Sequence, residues 1–237
     1  MKRSILGIAL IAALGVTPAI AADMSYKAPP APVWTWTGCY VGVNWGATWS
    51  RSKSFDLVDV VNPALEGSQW SNPITATGAI GGGTAGCNYQ TGAWVFGVEG
   101  DFDGTNLSGS SPLIPPFATA FTNVVSEHWF ATARGRLGYA SGAWLLYATG
   151  GAAFGRVEEN AFDIIGQDQT NTMTGWVAGL GVEYSLQKNL SAKAEYLYAD
   201  LGNSTFFIPG VNTIASSERT SYQQQLVRLG LNWRFGP

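Results

Sequence analysis

The segment Tyr222–Phe235 reads YQQQLVRLGLNWRF. Val227, Leu229, Leu231, Trp233 and Phe235 fall on one face. Gln224, Leu226, Arg228, Gly230, Asn232 and Arg234 fall on the other. Such alternation marks a β-strand with two unlike faces. Two environments accept it. A soluble sheet turns the apolar face to a core, whereas a transmembrane barrel turns it to lipid and points the arginines inward.

Seven earlier segments repeat the pattern: Thr37–Ser50, Ala76–Tyr89, Trp94–Asp103, Trp129–Tyr139, Trp144–Gly155, Thr172–Tyr184 and Leu190–Ala199. Each comes close to the ~9–11 residues that a tilted strand needs to cross a bilayer. The connections alternate in length. Gln90–Ala93, Ala140–Ala143 and Ser185–Asn189 are tight, whereas Arg51–Thr75, Gly104–Glu127, Arg156–Asn171 and Leu201–Ser221 are long and polar. Short turns on one rim and long loops on the other are the asymmetry of an outer-membrane barrel. The pattern predicts an all-β fold, an eight-stranded antiparallel up-and-down transmembrane β-barrel with short periplasmic turns and long extracellular loops. Closure leaves no strand edge exposed to lipid.

The charges sharpen the choice. Glu99, Asp101, Asp103, Glu183 and Glu195 share the inner face with Arg134, Arg136, Lys193, Arg228 and Arg234, five acids against five bases. Buried charge is costly unless paired, so an enclosed interior must be nearly neutral. The opposite face of the predicted strands carries no charge. Lipid demands this, since an Arg or Lys there costs about 2–4 kcal/mol at mid-membrane. A soluble sandwich has no such requirement. Eight strands enclose an interior that side chains just fill, so the ten charges predict a packed ionic core rather than a wide channel. A narrow channel for small solutes is the alternative.

Composition agrees. Charged residues are 12% of the chain, about half the usual ~25%. Lys2 and Arg3 precede an apolar run from Ile5 to Val16, followed by Ala19-Ile20-Ala21, the layout of a secretory signal peptide over 1–21. Without Lys2 and Arg3, 11 of the 13 basic residues face 16 acids, a formal charge of −5, which gives no general attraction to nucleic acid. Residues 22–35, with prolines at 29, 30 and 32, read as a Pro-rich periplasmic leader, and 36–237 as the barrel domain.

Across all eight segments the chain resembles the small outer-membrane porin-family β-barrels of alphaproteobacteria, related in architecture to the OmpA-like and opacity-type barrels. The resemblance lies in YKAPP at 26–30, WTGCYVGVNWG at 36–46, GGG and GCNYQ between 81 and 90, and WVFGVEGDFDG at 94–104. It continues with RGRLGYA at 134–140, TGGAAFG at 149–155, AEYLYADLG at 194–202 and VRLGLNWRF at 227–235. It implies a surface-exposed protein of the cell outer membrane that supports envelope integrity, with no catalytic residues. It also implies a C-terminal aromatic, here Phe235, read by the barrel-insertion machinery. Gly236 and Pro237 follow that aromatic, which departs from the family pattern. Cys39 and Cys87 stand where the family has aromatics. They lie near the periplasmic ends of adjacent antiparallel strands and both face outward by parity. The exported compartment permits a disulfide between them, and the alternative is two lipid-facing thiols acting as small apolar groups.

Other chemistry is sparse. Ser126, Glu127 and His128 adjoin at the loop end of the fourth segment. A lipid-modifying outer-membrane enzyme using Ser and His is the competing class. Neighbouring positions of a strand point to opposite faces, so the trio is no ready nucleophile, base and orienter. One histidine and no cysteine cluster predict no metal site and no cofactor. GGGTAG at 81–86 lacks the Lys-Ser/Thr ending of a phosphate loop. The expected partners are outer-membrane lipid and lipopolysaccharide on the apolar wall, where a second copy could also dock to form a homo-oligomer.

Overall fold

The computed structural model describes residues 35–58, 72–112, 115, 122–160, 168–208 and 216–235. The segments expected to be a signal peptide and a leader, up to residue 34, lie outside the described residues, as do Gly236 and Pro237. Eight strands follow in chain order: β1 Gly38–Val58, β2 Ile74–Thr91, β3 Trp94–Pro112, β4 Thr122–Ser141, β5 Trp144–Asn160, β6 Asp168–Gln187, β7 Leu190–Ile208 and β8 Ser216–Phe235. Each pairs antiparallel with its neighbours, and β8 pairs back onto β1 to close the barrel. Turns of two residues join β2 to β3, β4 to β5 and β6 to β7. Gly92 and Gly142 open the first two with φ of 58° and 60°, a conformation that disfavours any residue with a Cβ.

The outer wall carries two aromatic belts. The lower one includes Trp94 against Tyr139, ring centroids 5.8 Å apart, and Trp144 against Tyr184 at 4.5 Å. The upper one includes Phe102 stacked on Trp129 at 5.6 Å and Trp176 against Tyr198 at 5.5 Å. From Trp129 to Tyr139 a strand rises roughly 33 Å, or about 25 Å along the axis at the usual tilt, the height of a lipid-facing band. Between the belts the exposed wall holds Val43, Val98, Leu137, Leu146, Leu180, Leu229 and Leu231.

The strands run well past the upper belt, into stretches that the sequence pattern assigns to loops. β1 reaches Val58 instead of Ser50 and β3 reaches Pro112 instead of Asp103. Above the belt the alternation inverts. Ile74, Ala76, Leu107, Val125, Val157, Met173 and Tyr222 point inward and form an apolar core. Arg51, Lys53, Thr75, Thr77, Ser108, Ser110, Thr172 and Gln223 point outward and are exposed. Water replaces lipid outside, so the barrel becomes a soluble one with its greasy side in. Bulges at Gly104/Leu107, Glu127/Trp129 and Asp200/Asn203 mark this boundary, and the one at Glu127/Trp129 re-phases β4.

Candidate functional site in the barrel lumen

All ten charged residues of the sequence-derived inner face are buried in the lumen. Their placement follows from strand register. Glu99 lies opposite Arg134 across β3 and β4, and Glu195 lies opposite Arg228 across β7 and β8. β3 brings three acids, β4 two arginines, and β7 and β8 close the circle, so pairs form both along the wall and across the bore.

Glu99 is the hub. Its Oε1 accepts from Arg134 Nη2 at 2.6 Å and from Lys193 Nζ at 3.0 Å. Its Oε2 accepts from the Tyr40 hydroxyl at 2.6 Å and from Lys193 Nζ at 2.9 Å. Arg134 continues to Glu195 at 2.7 Å and to Asp101 at 2.8 Å. Arg228 crosses from β8 to Asp101 at 2.8 Å, to Glu195 at 3.2 Å and to Asp103. Arg136 joins Glu183 at 2.8 Å and stacks its guanidinium 3.9 Å from the Tyr147 ring centroid. Glu183 also accepts from Ser191 and Asn232. Arg134, Arg136 and Arg228 each spread their planar fork over two or more carboxylates.

Arg234 turns to the mouth at the short-turn end. Its Nη1 donates to the Thr35 carbonyl at 2.8 Å, and its guanidinium lies 4.5 Å from the Trp36 ring centroid. Trp36 is fully buried with Val95, Leu145 and Tyr147. The lumen is therefore layered: an aromatic and apolar cork below, the ionic network between the belts, and the apolar core above.

Inside the upper layer sits one acid that strict alternation misplaces. Counting in twos from outward Trp129 puts Glu127 on the outer wall and His128 inside. The bulge between Glu127 and Trp129 reverses this. Glu127 is buried and accepts from Gln224 Nε2 at 2.9 Å. His128 is exposed, with its Nε2 2.9 Å from Glu158 Oε2 on β5. The Ser126–Glu127–His128 trio is thus split between the two walls.

Glu127 lies above the upper belt, and burial pushes its carboxyl up to about 7, the Gln224 hydrogen bond offsetting only part of this. A raised carboxyl pKa means that the folded barrel binds more protons than the unfolded chain between pH 4.5 and 7. Stability from this site is therefore full below pH 4.5 and falls as pH rises toward 7. Glu127→Gln should remove that slope and raise stability at pH 8 by about 3 kcal/mol. Urea titrations in micelles at pH 5 and 8 check this; equal gains at both pH values would contradict it.

Cys39 and Cys87 face each other across β1 and β2 and are bridged. Phe235 pairs with Cys39 on the β8 side, and its side chain is half exposed on the outer wall. Among the described residues no cluster of His, Cys, Asp and Glu is arranged to hold a metal ion.

Comparison with known proteins agrees with this architecture. A family model described as "outer membrane protein beta-barrel domain" matches residues 9–235. The 31 kDa outer-membrane immunogenic protein of Brucella melitensis is 37% identical, over 99% of this chain and 100% of its own length. The 25 kDa outer-membrane immunogenic protein of Brucella abortus is 27% identical over 92% of this chain and 91% of its own. The 22 kDa outer membrane protein of Rhizobium leguminosarum is 29% identical over 63% of each. Among solved structures, OprG of Pseudomonas aeruginosa covers 84% of this chain and 97% of its own at 11% identity and a TM-score of 0.54, a likeness of fold.

Proposed function

This chain belongs to the outer-membrane protein β-barrel family and resides in the cell outer membrane, and from that premise we propose that it is a closed, non-catalytic barrel that supports the envelope and presents its long-loop end as a surface antigen. The carrying observation is the unbroken ionic network from Glu183 to Asp103, which fills the bore between the belts. Two relatives named as immunogenic outer-membrane proteins support the surface-antigen part. His128 paired with Glu158 on the outer wall, away from buried Glu127, supports the absence of catalysis. Outer-membrane lipid and lipopolysaccharide are the partners of the apolar band and of exposed Arg51 and Lys53 just above it. Phe235 is the position that the insertion machinery would read.

Planar-bilayer recording on the purified protein tests the closed lumen. The expected trace stays at baseline. Steady, uniform single-channel steps would replace this proposal with a narrow solute channel.

A further inference from the structure

We propose that Cys39 and Cys87 are joined in the aqueous periplasm before the barrel enters the membrane, which makes this chain a substrate of a periplasmic protein disulfide oxidant. The location of the two sulfurs carries this. Cys39 is the second residue of β1 and lies opposite both Cys87 and Phe235. Cys87 is exposed on the outer wall, and the surface around the bridge is formed by Val41, Ala85, Val98, Ala133 and Phe235, all apolar. The next outward position below Cys87 is Tyr89, exposed at the periplasmic end of the band. In the membrane this bridge faces lipid.

Disulfide formation requires a thiolate, and a third sulfur must approach in line. An apolar, lipid-covered surround solvates an attacking thiolate poorly. Lipid also bars a water-soluble oxidant from the outer wall. Both obstacles vanish while the chain is still in water. One Cys thiolate then attacks the oxidant's disulfide, forming a mixed disulfide and releasing one oxidant thiolate. The second Cys thiolate attacks the chain's own sulfur in that mixed disulfide and releases the other. Two thiols give up two protons and two electrons to form one S–S bond, and the oxidant leaves as a dithiol.

The sequence distance suits an early step. The two residues are 48 apart and belong to one hairpin, β1–β2, so pairing needs no other strand. The bridged hairpin also fixes β1, the edge onto which β8 must later close, at the row that pairs with Phe235. Insertion then locks the bond in lipid.

The test uses the full-length protein in outer membranes from cells with and without their periplasmic thiol oxidant. Thiols are counted by alkylation after denaturation. Oxidant-proficient cells should yield no free thiols, and deficient cells two. Intact membranes are then treated with oxidised glutathione or with a hydrophilic phosphine reductant. The inserted dithiol should oxidise, and the inserted bridge reduce, more than about tenfold more slowly than in urea-unfolded protein. Rates within tenfold of the unfolded chain, or two free thiols in barrels from proficient cells, would overturn the proposal. If deficient cells insert no barrel, the reductant arm on wild-type membranes still gives the deciding rate.

Discussion

Glu99→Gln should destabilise the folded barrel by about 3–5 kcal/mol, the range for breaking a buried ion pair by removing one partner. Both carboxylate oxygens of Glu99 are occupied, by Arg134 and Lys193 on one and by Tyr40, Lys193 and Arg136 on the other. Glutamine keeps the shape but turns one acceptor into a donor facing donors. It also leaves Lys193 and two arginines around a neutral group at a fully enclosed site. Urea unfolding in micelles, followed by the folded band on unboiled gels, reads the loss. Adding Lys193→Met to Glu99→Gln should recover part of it, because the second change restores the charge balance; a double-mutant cycle separates the pair from its surroundings. An unchanged unfolding midpoint in the single variant would refute a structural role for the network.

Trp36→Ala should have an effect of the same size, about 3–5 kcal/mol, because it empties a buried aromatic site. Trp36 fills the mouth at the short-turn end against Val95, Leu145 and Tyr147. The residue also ties chain segments together. Its backbone N–H donates to Gln90 Oε1 at 2.7 Å, and its ring carries the Arg234 guanidinium from the final strand. Thr35 and Thr37 on either side accept from Arg234 and from the Gln90 backbone N–H. Truncation therefore loses packing and a cation–π contact worth about 1–2 kcal/mol when desolvated. Trp36→Phe should retain most of both, and its midpoint should lie near wild type. Equal midpoints for Trp36→Ala and wild type would show that the mouth is not held by this cork.

The lipid band was legible because lipid is an unforgiving neighbour. Every outward position from Trp94 to Phe102 had to be apolar or glycine, and every charge had to turn inward, so alternation alone gave the faces of Glu99, Arg134 and Arg228. Above Trp129 the same rule misleads. There water lies outside, the apolar set moves to the lumen, and the greasy outward face ends at the belt. That is why residues such as Leu107, Val125 and Val157 fell in segments read as loops although they build the upper core. Glu127 was lost for a more local reason. A bulge adds one residue, and one residue reverses every face beyond it. Nothing in the sequence around Glu127-His128-Trp129 announces that extra residue.

By itself, then, the sequence determined the compartment, the number of strands, the lipid-facing wall and the near-neutral lumen. These depend on side-chain period and charge sign, which are local properties. The tertiary structure alone decided which acid meets which base, that Arg234 reaches Trp36 and Thr35 at the mouth, and that Glu127 lies inside. Those outcomes depend on stagger and closure. Partners across the bore, such as Arg228 and Asp101, are separated by 127 residues. They meet only once β8 has paired with β1 and bent the sheet into a barrel.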